Sequence, residues 1–231
     1  MDNSLTILVP FRNESKTLEP LVLQLESLRE KLDFICIFVN DGSTDSSVEI
    51  LKLALSKSGL QHQLISKISG GKASAVFEGS KYVTTSHVVI LDADLELDAK
   101  DIIRMWEVVE RNQNNYIFGY RRFLAHSAFT YRYTIGNKLI SHTFGILFNQ
   151  VITDIMCGLK LVPSEFLKNL PFKHKRFAIE VEIPIKMWRL KIRPFEIDVN
   201  YYPRGWSDGK TIGFQDAIQI FFVLLVGRIR K

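Results

Sequence analysis

Apolar runs of strand length recur in the first half of the chain: LTILVP (5 to 10), FICIFV (34 to 39), HQLIS (62 to 66), HVVILD (87 to 92) and YIFGY (116 to 120). All but the last precede stretches whose apolar residues fall three and four apart. These predict helices over Ser15 to Lys31, Thr44 to Lys57, Lys72 to Val83 and Ala99 to Asn112. Strands apolar almost throughout, alternating with amphipathic helices, predict an α/β fold with a mostly parallel sheet covered on both faces. Ligands bind such sheets beyond the carboxyl ends of the strands, so the residues that end each run carry the chemistry.

After residue 121 the rhythm changes to an aromatic-rich stretch, Phe123 to Phe148, then a short strand-like segment and a helical pattern over Phe177 to Leu190. No repeat, low-complexity segment or linker separates the two halves, which reads as one continuous domain over 1–231. A last helix over about Ile212 to Ile229 contains FFVLLV, but Gln215, Asp216 and Gln219 interrupt it. Its apolar run is too short to span a bilayer, which needs ~18 residues. Its apolar face and the terminal RIRK suit either a helix lying in a membrane surface or one packed on the core.

Composition narrows the class. With 231 residues, 46% hydrophobic and 24% charged, the chain is neither disordered nor collagenous and is long enough to bury a core unaided. The N-terminus lacks a basic region before its apolar stretch, so neither a signal peptide nor an anchor is expected there. Two cysteines, Cys36 and Cys157, without CxxC or histidine at metal spacing, are expected as reduced thiols in a cytosolic protein. The net charge of +5 gathers around Arg121, Arg122 and Arg132, and again at Arg204, Lys210, Arg228, Arg230 and Lys231. Such clusters suit a phosphate-bearing or anionic-lipid partner, and no nucleic acid is expected.

Two strand ends, Pro10-Phe11-Arg12-Asn13-Glu14 and Asn40-Asp41-Gly42-Ser43-Thr44-Asp45, place polar groups at one edge of the sheet and predict a crevice there. Gly42 permits a tight turn, Ser43 or Thr44 can cap the next helix, and Asp41 can point into the crevice. The fourth run ends in Leu91-Asp92-Ala93-Asp94-Leu95-Glu96. Strand-like spacing would put Asp92, Asp94 and Glu96 on one side, where mutual repulsion calls for a cation and hard oxygen ligands suit Mg2+ or Mn2+ bridging a diphosphate. Gly70-Gly71-Lys72 opens a helix without the full GxxxxGK[ST] spacing, so it predicts no P-loop, although Lys72 can still contact a phosphate.

In this order VPFRNES, VNDGSTD, GGKASAVFEG, LDADLE, GYR and CGLKL resemble the family 2 glycosyltransferases, whose fold is the Rossmann-like, nucleotide-sugar-binding GT-A type. The segments DIMCGLKLVPSE, FAIEVE and YYPRGWSDGK are similar to the branch that moves mannose or glucose to dolichyl or undecaprenyl phosphate. The resemblance implies a nucleotide-sugar-binding half over 1–121, an acceptor half over 122–210 and an amphipathic helix over 211–231 that suits a membrane surface. Pro10, Arg12 and Glu14 would line the base pocket, with Asn40, Asp41, Lys72 and Asp92 completing the site for a UDP- or GDP-hexose. Asp92 and Asp94 match the metal-diphosphate motif, with Glu96 where polyprenyl-phosphate enzymes usually carry glutamine. Arg121, Arg132, Arg204 and Lys210 would grip the acceptor phosphate, since arginine forks match phosphate oxygens. Glu180 and Glu182 match the family's acidic pair.

The implied reaction is a single displacement with inversion, the metal neutralising the leaving diphosphate. The implied catalytic residues are Asp94, Glu180 and Glu182; a phosphate acceptor is already ionised and needs positioning, whereas a hydroxyl acceptor would need Glu180 or Glu182 to take its proton. The resemblance implies a polyprenyl phosphate acceptor and a peripheral place on the cytoplasmic face of a membrane. Two alternatives stay open: a family 2 enzyme acting on a sugar hydroxyl in cell-surface polysaccharide synthesis, and a nucleotide-sugar-binding subunit without turnover.

Overall fold

The computed structural model of the chain describes residues 3–121, 131–170, 178–203 and 214–229. A seven-stranded sheet runs in the order β3-β2-β1-β4-β6-β5-β7. Its central strands are β1 (Leu5–Phe11), β2 (Phe34–Asn40) and β4 (His87–Ile90), flanked by β3 (His62–Ser66) on one side. On the other lie β6 (Lys160–Pro163), β5 (Ile117–Arg121) and β7 (Phe195–Val199). Every residue of β1 is buried, as a strand covered on both faces requires. The strands β1 to β4 pair in parallel. The strand β6 runs antiparallel between β4 and β5, so the expected mostly parallel α/β, GT-A-type sheet holds with one reversed strand.

Helices cover both faces. On one face α1 (Leu18–Leu28), α2 (Ser47–Lys57) and α4 (Asp101–Glu110) bury Leu21, Leu25, Leu51, Ile102 and Met105 against the sheet. On the other, α3 (Lys72–Ser80), α5 (Tyr131–Phe148), α6 (Ser164–Lys168), α7 (Ile179–Arg189) and α8 (Phe214–Ile229) enclose Val76, Phe144, Phe148, Leu167 and Ile183. After β3 the chain crosses through α3 to β4 on the far side of β1. That reversal of strand order places a crevice at the carboxyl ends of β1, β2 and β4.

Several sequence-based boundaries shift, each for a local reason. The first helix begins at Leu18 because Glu14 to Thr17 form a turn, Glu14 O accepting the N–H groups of Thr17 and Leu18. The second begins at Ser47, and its first turn is capped by Asp45, not Ser43 or Thr44: Asp45 Oδ1 accepts Ser47 N–H at 3.1 Å and Ser47 O–H at 2.5 Å. Ser43 and Thr44 bond to Asn13 instead. The strand β7 was not anticipated; its sequence FEIDV buries Ile197 and Val199 and turns Glu196 to Thr153 and Asp198 to Arg104. Both cysteines are buried and free, and burial pushes the Cys157 thiol up to about 12.

The last helix packs on the domain and still leaves an apolar stripe outside. Ile220, Val223 and Leu224 are buried, while Ile218, Phe222, Leu225 and Ile229 are exposed. The neighbouring α5 adds exposed Ile135, Leu139 and Ile146. None of the described helices is long and apolar enough to cross a membrane.

Candidate active site

Asp41 directly follows β2 at the crevice and is buried, and it organises the loop that follows β3. Its Oδ1 accepts Gly70 N–H at 2.8 Å and its Oδ2 accepts Gly71 N–H at 2.7 Å, while Lys67 Nζ sits 2.8 Å from Oδ1. Gly42, at φ 70, lets the backbone turn against this loop; a Cβ there would lie 2.9 Å from Ser69 N. Asn40 Oδ1 accepts Ser43 N–H at 2.8 Å, and Arg12 Nη1 donates to Ser69 Oγ at 2.6 Å. Pro10 is buried in β1, and Glu14 Oε2 accepts Thr17 O–H at 3.0 Å. Thus Arg12, Asn40 and Asp41 meet around one loop. That loop delivers Lys72 as the first residue of α3.

Lys72 carries the arrangement inward. Its ammonium lies 2.6 Å from Asp92 Oδ1, two residues beyond β4, and 2.7 Å from Glu180 Oε1, at the start of α7. The other oxygen of Glu180 pairs with Lys160, the first residue of β6, which also donates to the carbonyls of Ile155 and Cys157. Asp92, Lys72, Glu180 and Lys160 therefore form a line of alternating charges from the partly exposed rim to a lysine 1% exposed. Burial alone would push Lys72 and Glu180 towards their neutral forms, but their partners dominate. Lys72 is shifted upward by Asp92 and Glu180 against its desolvation. Glu180 is shifted downward by Lys160 and Lys72 against the same penalty.

Gly158 makes this approach possible. A Cβ there would collide with Asp92 Oδ2 and lie 3.0 Å from Lys72 Nζ. Gly158→Ala is therefore expected to displace Asp92, costing about 1–3 kcal/mol as over-packing does and weakening nucleoside diphosphate binding; melting curves and titration calorimetry check both.

The carboxylates after β4 depart from the expected alternation. The strand ends at Ile90, and a turn follows in which Leu95 has φ 60 and Asp94 Oδ1 accepts Glu96 N–H at 3.0 Å. Glu96 is held to Tyr201, whose O–H donates to Oε2 at 2.9 Å, and the bridge between Leu97 and Tyr201 fixes the turn. A turn has no period of two, so the one-sided row of Asp92, Asp94 and Glu96 does not form. Among the described residues no three His, Cys, Asp or Glu side chains gather as a metal cage. Asp92 and Asp94 still offer two carboxylates at the rim, and Mg2+ is commonly held by one or two carboxylates with waters and substrate phosphates completing the shell.

At the end of β5 Arg121 forms a bidentate pair with Asp154, Nε to Oδ2 at 2.6 Å and Nη2 to Oδ1 at 2.8 Å, with its guanidinium 5.2 Å from the Tyr201 ring. Glu182 is buried one residue beyond Val181 in α7. The side chain of Arg132 and all of Arg204 and Lys210 lie outside the described residues. The sequence reading missed Lys67, Asp154, Lys160 and Tyr201 as members of this site. Lys160 had a signal: a lone lysine in the apolar run CGLKLV must find an anion if that run is buried.

The chain is similar to known proteins in sequence and in fold. The chain is 24% identical over 224 residues to glycosyltransferase AglJ of Haloferax volcanii, covering 96% of this chain and 71% of that one. It is 26% identical to a dolichyl-phosphate beta-glucosyltransferase of Dictyostelium discoideum, covering 94% and 71%. It is 28% identical to an undecaprenyl-phosphate 4-deoxy-4-formamido-L-arabinose transferase of Sodalis glossinidius, covering 90% and 63%. Among solved structures, glucosyl-3-phosphoglycerate synthase from Mycobacterium tuberculosis, crystallised with Mn2+, UDP and phosphoglyceric acid, shares the fold with a TM-score of 0.74 at 15% identity over 99% of this chain and 79% of that one. Residues 6–170, well over half of the sequence, match the pattern that defines glycosyl transferase family 2, and the chain is a glycosyltransferase belonging to that family.

Proposed function

We propose that the enzyme transfers a hexose from a UDP- or GDP-sugar to a polyprenyl phosphate, with inversion at the anomeric carbon and with Mg2+ or Mn2+ at the donor diphosphate. The observation that carries this reading is the polar crevice at the strand-order reversal, where Asp92, Lys72 and the loop held by Asp41 meet. Such a reversal is where open α/β sheets bind nucleotides. The relatives named for dolichyl and undecaprenyl phosphate support the acceptor class.

Asp92 and Asp94 would hold the cation, which supplies charge neutralisation for the departing diphosphate. Lys72 adds a fixed positive charge in the same corner, and Asp41 keeps the loop that positions it. An acceptor phosphate arrives already ionised, so the protein's task is orientation and charge matching. Arg132, Arg204 and Lys210 are proposed for that contact, together with Arg121, which Asp154 clamps at the end of β5.

The apolar stripe of α5 and α8 supports a membrane surface as the meeting place. Phe222, Leu225 and Ile229 are exposed on α8; α5 carries no Asp or Glu, and RIRK ends the chain. An apolar face with basic flanks suits an anionic interface. Phe222→Glu with Leu225→Glu is expected to lower binding to anionic vesicles by about tenfold or more, read by co-sedimentation, with a wild-type melting curve.

The test of the function is a panel of UDP- and GDP-hexoses with undecaprenyl or dolichyl phosphate, with and without Mn2+, read by product mass. One donor giving a hexosyl polyprenyl phosphate supports the reading. Release of nucleoside diphosphate with sugar found only on a glycan hydroxyl overturns the acceptor assignment.

A further inference from the structure

Lys160 is 1% exposed, and among the described residues its ammonium meets inward-facing groups: Glu180 Oε2, the carbonyls of Ile155 and Cys157, and the Phe118 ring at 5.4 Å. It cannot reach a substrate directly. Its partner Glu180 has both oxygens engaged by ammonium groups, Lys160 on one and Lys72 on the other. A carboxylate so held is a poor proton acceptor, since taking a proton would leave the buried Lys160 without its counter-ion and Lys72 with Asp92 alone.

We propose that Lys160 is a positioning residue for the donor diphosphate: it holds Glu180, and through Glu180 the Lys72 ammonium, in place beside Asp92 at the mouth of the crevice. The inference presupposes the nucleotide-sugar donor proposed for this site. Its logic is electrostatic. With Asp92 as its only partner, Lys72 would compete with any cation for that carboxylate. Glu180 gives Lys72 a second anchor, so Asp92 can turn towards an incoming ligand while Lys72 stays charged and in place. Lys160 does the same for Glu180, and the four charges balance.

Titration of the full chain with UDP and GDP, with and without Mn2+, and donor kinetics test this. Lys160→Met is expected to raise Kd for the nucleoside diphosphate and KM for the donor by about tenfold, with a smaller fall in kcat. Glu180→Gln is expected to behave the same way. Since Lys160 acts through Glu180, adding Lys160→Met to Glu180→Gln is expected to change Kd by less than about threefold. The double variant removes one charge of each sign, so it serves even where Lys160→Met alone does not fold.

Three outcomes overturn the proposal. If Glu180→Gln lowers kcat by about 100-fold or more with Kd and KM intact, Glu180 is a proton acceptor. If the double variant binds about tenfold more weakly than Glu180→Gln, Lys160 acts independently. If the wild type binds neither UDP nor GDP, the donor reading fails and this inference fails with it, whereas intact wild-type binding with either of the other two results sinks this inference alone.

Discussion

Asp94→Asn is expected to lower kcat/KM for the nucleotide sugar by on the order of 10^3-fold, because a cation at a leaving diphosphate supplies several kcal/mol of transition-state stabilisation. The amide keeps the oxygen that accepts Glu96 N–H, so the turn after β4 survives, while the charge that would hold the cation is lost. Asp94 is partly exposed on a turn, where substitutions usually fall within about 0.5 kcal/mol. The melting temperature is therefore expected to stay within about 2 °C of wild type. Steady-state kinetics beside a melting curve separate loss of chemistry from loss of fold.

The second large effect is on stability. Lys160→Met leaves Glu180 buried with one cation instead of two, and removing one partner of a buried ion pair costs about 3–5 kcal/mol. In a chain of this length that corresponds to a fall in melting temperature of roughly 10 °C. Replacing Lys160 and Glu180 together is expected to recover part of that loss, since no uncompensated carboxylate then stays at the inner end of the line.

The same pairs predict a dependence on pH. Glu180 is lowered by Lys160 and Lys72 despite its burial, so its contribution is fully present above the ordinary glutamate value of about 4.3. It is lost as pH falls through the lower folded value. Lys72 is shifted upward, so its contribution is complete below the ordinary lysine value and is lost only as pH rises through the higher folded one. The network is thus intact across neutral pH and gives way in acid. Glu180→Gln is expected to flatten the acid limb of the stability profile, measured by melting between pH 3 and pH 7.

How much of this was legible in the sequence differs by element. The strands β1, β2 and β4 are apolar apart from Thr6, Asn40 and His87 because both faces are largely buried, and such runs announce themselves. The order of motifs along the chain pointed to family 2, which the match over residues 6–170 bears out. The reversed direction of β6 was not legible, since KLVP pairs with β4 through contacts 70 and more residues away in sequence. The edge strand β7 hid behind Glu196 and Asp198, whose partners, Thr153 and Arg104, are also remote. Asp92, Asp94 and Glu96 looked like a one-sided row because a strand was continued past Ile90; the turn at Leu95 sends Glu96 to Tyr201. Lys160 and Asp154 escaped because spacing marks neighbours within an element, whereas an ion pair across elements emerges only when the chain is folded.

The central claim is that the rim formed by Asp92 and Asp94 receives the diphosphate of an activated sugar together with a cation. Titration calorimetry of UDP and GDP into wild type and Asp94→Asn, with and without Mn2+, tests it most directly. The account predicts that wild type binds one of the two nucleotides more tightly when Mn2+ is present and that Asp94→Asn loses this gain. Equal affinity of wild type for each nucleotide with and without Mn2+ would contradict it.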